Sequence, residues 1–234
     1  MLRAEFYKYF KKHLILITFF TVIIWVVCMR QAVLSSKSAD IANAGLLLYV
    51  ISRNLFCSVA VPAYIIIISR IAGEMEQKNN NWNLLLCMPV KKHRIFLVKI
   101  FALAGMVLIL YVSYITSVLL IGGIMSQLPI VRIVLEMLLS FVCSFSLISF
   151  FYVLSLEKIS TIIYLGIGSL ILLSGFLAMQ SERIWTYFPW CYATVITMVS
   201  SDAKLVQYVA INFVLTLAIC IMGLLRFCKR EWTS

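Results

Sequence analysis

Residues 95–125, IFLVKIFALAGMVLILYVSYITSVLLIGGIM, decide how the rest of the chain is read. Lys99, close to the start, is the only formally charged side chain in the run. A helix crossing the hydrocarbon core of a bilayer needs roughly 20 mostly apolar residues. This run is longer, so it spans with tilt or extends past the bilayer. Comparable runs lie on either side, at residues 14–29, 44–71, 133–156, 159–179 and 206–225. The run at 44–71 is interrupted by Arg53, Asn54 and Pro62, and those at 133–156 and 159–179 are separated only by Glu157 and Lys158. No stretch alternates polar and apolar residues at a strand period, which excludes a transmembrane barrel. The expected fold class is all-α: a polytopic membrane protein with six transmembrane helices in a single domain spanning residues 1–234.

Composition points the same way. Of 234 residues, 63% are hydrophobic and 12% charged, and the mean hydropathy is +1.04. Soluble domains carry about 45–50% apolar and about 25% charged residues. The excess exceeds what a core of this size can hold, so it faces lipid.

Lysine and arginine mark the cytoplasmic side. One set of connections holds Arg3, Lys8, Lys11, Lys12, Lys78, Lys91, Lys92, Arg94, Lys99, Lys158, Arg226, Lys229 and Arg230. The opposite set holds only Arg30, Lys37, Arg53, Arg132, Arg183 and Lys204. The richer set includes both termini, so both are expected in the cytoplasm, in agreement with an even number of spans. The net charge of +11 then describes a membrane face attracted to anionic lipid. A nucleic-acid partner is not expected, because the basic residues are scattered over helix ends without forming a stripe.

Residues 1–13 read as an amphipathic interfacial lead-in, with Phe6, Tyr7 and Phe10 toward lipid and Lys8, Lys11 and Lys12 toward headgroups. A cleaved signal peptide needs small residues at its cleavage site, and Trp25-Val26-Val27-Cys28 is bulky. The seven cysteines form no C-x-x-C pair and no metal-ligand spacing with His13 or His93. In apolar runs free cysteines behave as small hydrophobes. Neither histidine lies within a span, so an intramembrane serine protease has no base. Glu74 and Glu76 have no histidine at helical spacing to build a metalloprotease. A G-x-x-x-x-G-K-[ST] loop for ATP phosphates is absent from the sequence. No catalytic residue, metal or cofactor on this chain is expected.

The connection at residues 72–94 carries the strongest polar signal. Glu74 and Glu76 precede an Asn-rich turn that includes Asn79; Trp82, Leu84, Leu85 and Leu86 follow, and Pro89 breaks the segment before a basic entry into the next span. An apolar and aromatic patch flanked by charges suits a docking surface for a soluble partner. Trp82 in a membrane-surface loop is equally an aromatic anchor. Elsewhere, Arg132 and Glu136 are spaced to pair on one helix face. Arg53 and Asn54 either snorkel outward or line an outer vestibule together with Arg132 and Glu136. Trp185 and Trp190 belong to an aromatic cluster that reads as an interfacial belt or a peptide-binding platform.

Glu74, Glu76, Trp82, Leu85, Pro89 and Lys99 resemble the pattern of the type-2 ABC exporter permeases: an acid leaving the second span, a W-x-x-L-x-x-x-P loop and an early lysine in the third span. Chain length and the tryptophan-bearing connection at residues 180–205 resemble the permeases of lantibiotic and antimicrobial-peptide immunity. The resemblance implies that residues 180–205 form an extracellular, re-entrant connection before the last helix. It also implies a bacterial plasma membrane, and a separate cytoplasmic ABC ATPase dimer that binds ATP and docks on the 72–94 coupling loop. ATPase closure would then move the first, second and fifth spans. A second permease copy or a sister permease, and an amphipathic peptide or lipid substrate, complete the expectation. An ATP-independent secondary transporter is the alternative reading; it would need inverted repeats and buried coupling acids, and Glu136 alone is a thin relay. A membrane sensor or assembly subunit is another.

Overall fold

The structure is a computed structural model that describes residues 44–77, 92–125, 129–157, 159–178, 188–196 and 202–229, together with positions 18, 22, 23, 25–27, 30 and 31. Among them every regular element is helical. Helix α1 (Ala44–Leu55) runs through a π-turn (Phe56–Ala60) into α2 (Val61–Gln77). There follow α3 (Lys92–Met125), α4 (Ile130–Leu156), α5 (Thr161–Ala178), a 3₁₀ turn (Pro189–Cys191) leading into the one-turn α6 (Tyr192–Val195), and α7 (Asp202–Lys229). Among the described residues five segments are long and apolar enough to cross a membrane: Gly45–Met75, Lys92–Ile121, Ile130–Leu156, Thr161–Ala178 and Lys204–Lys229. The sixth expected span, residues 14–29, and the lead-in at residues 1–13 lie outside the described residues apart from the isolated positions above.

Arg53, Asn54 and Pro62 interrupt the apolar run but not the helix: α1, the π-turn and α2 are continuous, as one span requires. Proline lacks an N–H and its ring crowds the carbonyl four residues earlier. The π-turn sits just before Pro62, and the Val61 N–H reaches back to the Phe56 carbonyl, five residues away. Such a widened turn is a recognised way to bend a helix without ending it. At the other boundaries, Pro129 precedes α4 and its carbonyl accepts from the Ile133 N–H at 3.1 Å. Glu157 turns extended and ends α4, and Ser160 caps α5, its hydroxyl accepting from the Ile163 N–H at 3.4 Å.

Helix α4 is the centre of the bundle, packed by α2, α3, α6 and α7, while α1 lies mainly on α3 and α5 on α2. Close approach relies on glycine. A Cβ on Gly73 would stand 2.7 Å from the Ser155 carbonyl oxygen, and one on Gly223 2.3 Å from Val153 Cγ2. Small residues at helix contacts let backbones come together where lipid offers no hydrophobic drive. Most buried serines of α4 bond to their own helix: Ser144 donates to the Phe141 carbonyl, Ser149 to Phe145 and Ser155 to Tyr152. In hydrocarbon every polar group needs such an internal partner. Helices α5 and α7 keep large apolar side chains uncovered, among them Ile162, Leu170, Leu177, Phe213 and Val214.

Candidate functional site

Two polar clusters occupy opposite ends of the bundle. The first lies at the end where α1 begins and α3 gives way to α4. At 1.5 Å per residue, Arg53 lies about 13 Å along α1 from Ala44 and Glu136 about 9 Å into α4. Arg53 Nη1 donates to Glu136 Oε2 at 2.7 Å, and the Tyr49 hydroxyl donates to the same oxygen at 2.5 Å. Arg132 Nε takes the other carboxylate oxygen at 2.8 Å. The Arg53 guanidinium also lies over the Tyr49 ring, 5.3 Å from its centroid, and reaches Asn54 Oδ1 at 3.4 Å. Arg53 is therefore turned inward and paired rather than snorkelling. Its side chain is 10% exposed and that of Glu136 16%, whereas that of Arg132 is 78% exposed. The sequence spacing had joined Arg132 to Glu136; the structure keeps that pair and adds the partner that locks α1 to α4.

Beneath this cluster a hydroxyl ladder continues inward. Ser52 and Tyr114 bond at 2.8 Å between α1 and α3. Tyr111 and Ser140 bond at 2.9 Å between α3 and α4, and Ser140 donates onward to the Ala193 carbonyl of α6. Phe56 stacks on Tyr114 with centroids 4.0 Å apart.

The second cluster lies where α2 ends and α5 begins. Arg70 Nε donates to Glu74 Oε1 at 3.1 Å, and Arg70 Nη2 to Thr161 Oγ1 at 2.8 Å. The Thr161 hydroxyl in turn donates to Glu74 Oε1 at 2.9 Å, which closes a triangle across two helices. The Arg70 guanidinium stands 5.4 Å from the Tyr164 ring centroid, and the Tyr164 hydroxyl reaches the Ile66 and Phe151 carbonyls. Gly73 rests on Ser155 one residue away from Glu74. Glu74 is thus helical and held, not at the start of a loop. Glu76 is helical as well. Sequence reasoning passed over Arg70 and Thr161; the four-residue spacing of Arg70 and Glu74 was the available signal.

Asn79, Trp82, Leu85 and Pro89 of the 72–94 connection lie outside the described residues, as does Trp185. Trp190 is described. It follows Pro189 in the 3₁₀ turn, packs edge-on against Phe188 with centroids 5.0 Å apart, and meets the Gly175 face of α5. Cys191, Tyr192 and Val195 after it are buried with Cys143, Ala178 and Tyr208. Burial pushes the Cys191 thiol up to about 12. Among the described residues no cluster of His, Cys, Asp and Glu could hold a metal ion.

Long apolar helices, locally satisfied serines and charges gathered toward the helix ends define a polytopic α-helical membrane protein. The family model described as "ABC-2 family transporter protein" matches residues 1–163, and the chain belongs to that family, whose members are membrane subunits of ABC transporters. Searches of curated proteins and of solved structures found no match.

Proposed function

We propose that this chain is the membrane-spanning half of an ATP-driven exporter, with ATP hydrolysed by a separate cytoplasmic ABC ATPase dimer. The observation that carries this reading is the family match over residues 1–163. Both termini lie in the cytoplasm of a bacterial cell, so the Arg53–Glu136 cluster faces outward and the Arg70–Glu74–Thr161 cluster inward. The ATPase docks around Glu74, Glu76, Asn79, Trp82, Leu85 and Pro89. Movement of that segment reaches α5 through Thr161, which Glu74 and Arg70 both hold. A second copy or a sister permease completes the pathway, and residues 180–205 dip back from the outer face before the last helix.

The substrate is an amphipathic antimicrobial peptide of the lantibiotic type, or a lipid, taken from the membrane and expelled. Such a cargo needs no charged cage. Arg53, Asn54, Arg132, Glu136, Trp185 and Trp190 border the outer vestibule in this reading. Its test has two stages. The chain is purified in mild detergent with the ATPase encoded beside it, as wild type and as Glu74→Ala with Trp82→Ala. An ATPase retained by the wild type and lost by the double variant supports the docking segment; no ATPase in either, even with crosslinking, overturns the exporter. If the complex forms, lantibiotic-stimulated ATP hydrolysis and raised inhibitory concentrations in cells support the peptide. A complex that responds to lipid alone removes the peptide and leaves the exporter standing.

A further inference from the structure

An apolar crevice of about 180 Å³ opens on the flank of the bundle between α5 and α7, with α4 as its floor. Leu147 and Phe150 of α4 form the base, Ile171 of α5 one wall, and Leu215 and Ile219 of α7 the other. Pro189 and Trp190 close it on the side toward the 3₁₀ turn. Phe150 at the rim is 37% exposed, and Ile171, Leu215 and Ile219 are half-buried, so the space communicates with the flank. Its one hydroxyl, Ser146, already donates to the Cys143 carbonyl and accepts from Asn212 Nδ2 at 3.0 Å.

Water has little to bind there: beside the satisfied Ser146 hydroxyl, the lining side chains offer only the Trp190 indole N–H, which has no partner among the described residues. An ordered water needs about two to four polar partners, and apolar cavities of about 150 Å³ stay dry and take up apolar guests instead. Leaving the space empty is costly too, since its lining loses dispersion contacts on one side. The crevice sits midway along α7 and is continuous with lipid-facing surface on both sides: Leu170 and Leu173 of α5 are 68% and 57% exposed, Leu217 and Ile221 of α7 46% and 58%. In a chain that spans a bilayer, uncovered apolar flanks of this kind meet hydrocarbon. We infer that the crevice is a binding site for the terminal part of a membrane lipid's acyl chain, held between α5 and α7 under Trp190. The inference requires only that the chain is membrane-embedded and stands apart from the export reading.

The test uses the full chain in phosphatidylethanolamine–phosphatidylglycerol vesicles doped with phosphatidylglycerol whose acyl chain ends in a diazirine. After photolysis, peptide mapping compares crevice positions with lipid-facing neighbours at the same depth. Label concentrated at Ile171, Leu215 and Ile219 over Leu170 and Leu217 is the expected result. Ile219→Trp, which fills the space, then reduces crevice labelling to the level of its neighbours, while Leu170→Trp leaves it unchanged. Equal labelling of crevice and flank in the wild type overturns the site, and that comparison needs no variant to fold. So does an Ile219→Cys variant that crosslinks to a second copy in place of taking label, because protein then fills the crevice.

Discussion

Replacing Glu136 with leucine tests whether the α1–α4 lock is an ion pair in the energetic sense. The substitution leaves Arg53, with its side chain 10% exposed, facing an apolar wall. Breaking one side of a buried pair costs about 3–5 kcal/mol, because the remaining charge stays desolvated. Arg53 keeps Asn54 and the face of Tyr49 as weaker partners, which places the cost at the lower end, about 3 kcal/mol. For a chain of this size each kcal/mol moves the melting temperature by about 2–4 °C, so a fall of about 6–12 °C is expected in detergent. The decisive comparison is the double variant Arg53→Met with Glu136→Leu. Apolar replacement of a whole buried pair is often neutral or stabilising, so the double variant is expected to regain most of the loss. A double variant that loses the sum of the two single losses refutes the pairing argument, and so does a Glu136→Leu variant that melts like the wild type.

Gly73→Ala is expected to lower stability by about 1–3 kcal/mol, the usual cost of overpacking, because its Cβ would meet the Ser155 backbone oxygen; Gly166→Ala, with nothing within 4 Å, is expected to melt like the wild type. Thr161→Val removes the hydroxyl that ties Arg70 and Glu74 to α5 and is expected to cost about 1 kcal/mol; in the complex with its ATPase it should retain binding but blunt substrate-stimulated hydrolysis, and unchanged stimulation speaks against α5 as a relay. In single-cysteine variants, Cys191 is expected to resist maleimide at pH 8, since its buried thiol titrates at about 12 and little thiolate exists at that pH. Exposed Cys228 in the last turn of α7 should react, and only from the cytoplasmic side of intact cells; labelling by an impermeant reagent from outside inverts the orientation.

The spans were legible because hydrocarbon imposes one rule on every residue it touches, and runs such as 95–125 and 133–156 obey it without reference to any other part of the chain. Helix α3 extends that run by three residues and α4 extends its own by three; the start of α4 is set by Pro129 rather than by hydropathy. Pro62 is a separate case: the sequence shows that it breaks the apolar run, and the backbone shows the π-turn just before it that keeps the helix continuous. At the sites, sequence spacing sees partners three or four residues apart and nothing further. It found Arg132 with Glu136, a pair whose arginine is 78% exposed, where screening leaves little energy. Sequence reading groups Arg53 with them only as a vestibule residue; its pairing with Glu136, 83 residues away, which carries the buried half of that cluster, is not readable from spacing.

The same asymmetry explains where the two clusters lie. A charge near the centre of a bilayer is expensive, and polar side chains at depth are retained where they meet partners inside the bundle. Arg53 and Arg70 sit toward opposite ends of one continuous helix, and each binds a carboxylate and an aromatic face. Between them run the π-turn and Pro62. Each cluster also ties that helix to a different neighbour, α4 through Glu136 at one end and α5 through Thr161 at the other. An apolar pair at either place would hold two helices together comparably well. A charged pair adds a requirement that the partners meet in one register, since any slip leaves a bare charge in hydrocarbon. That is a reason for this chain to keep arginine at both ends, and the double variant of Arg53 and Glu136 separates it from stability. Restored melting combined with lost transport by the complex is the expected outcome; restored melting with intact transport would leave the register argument without support.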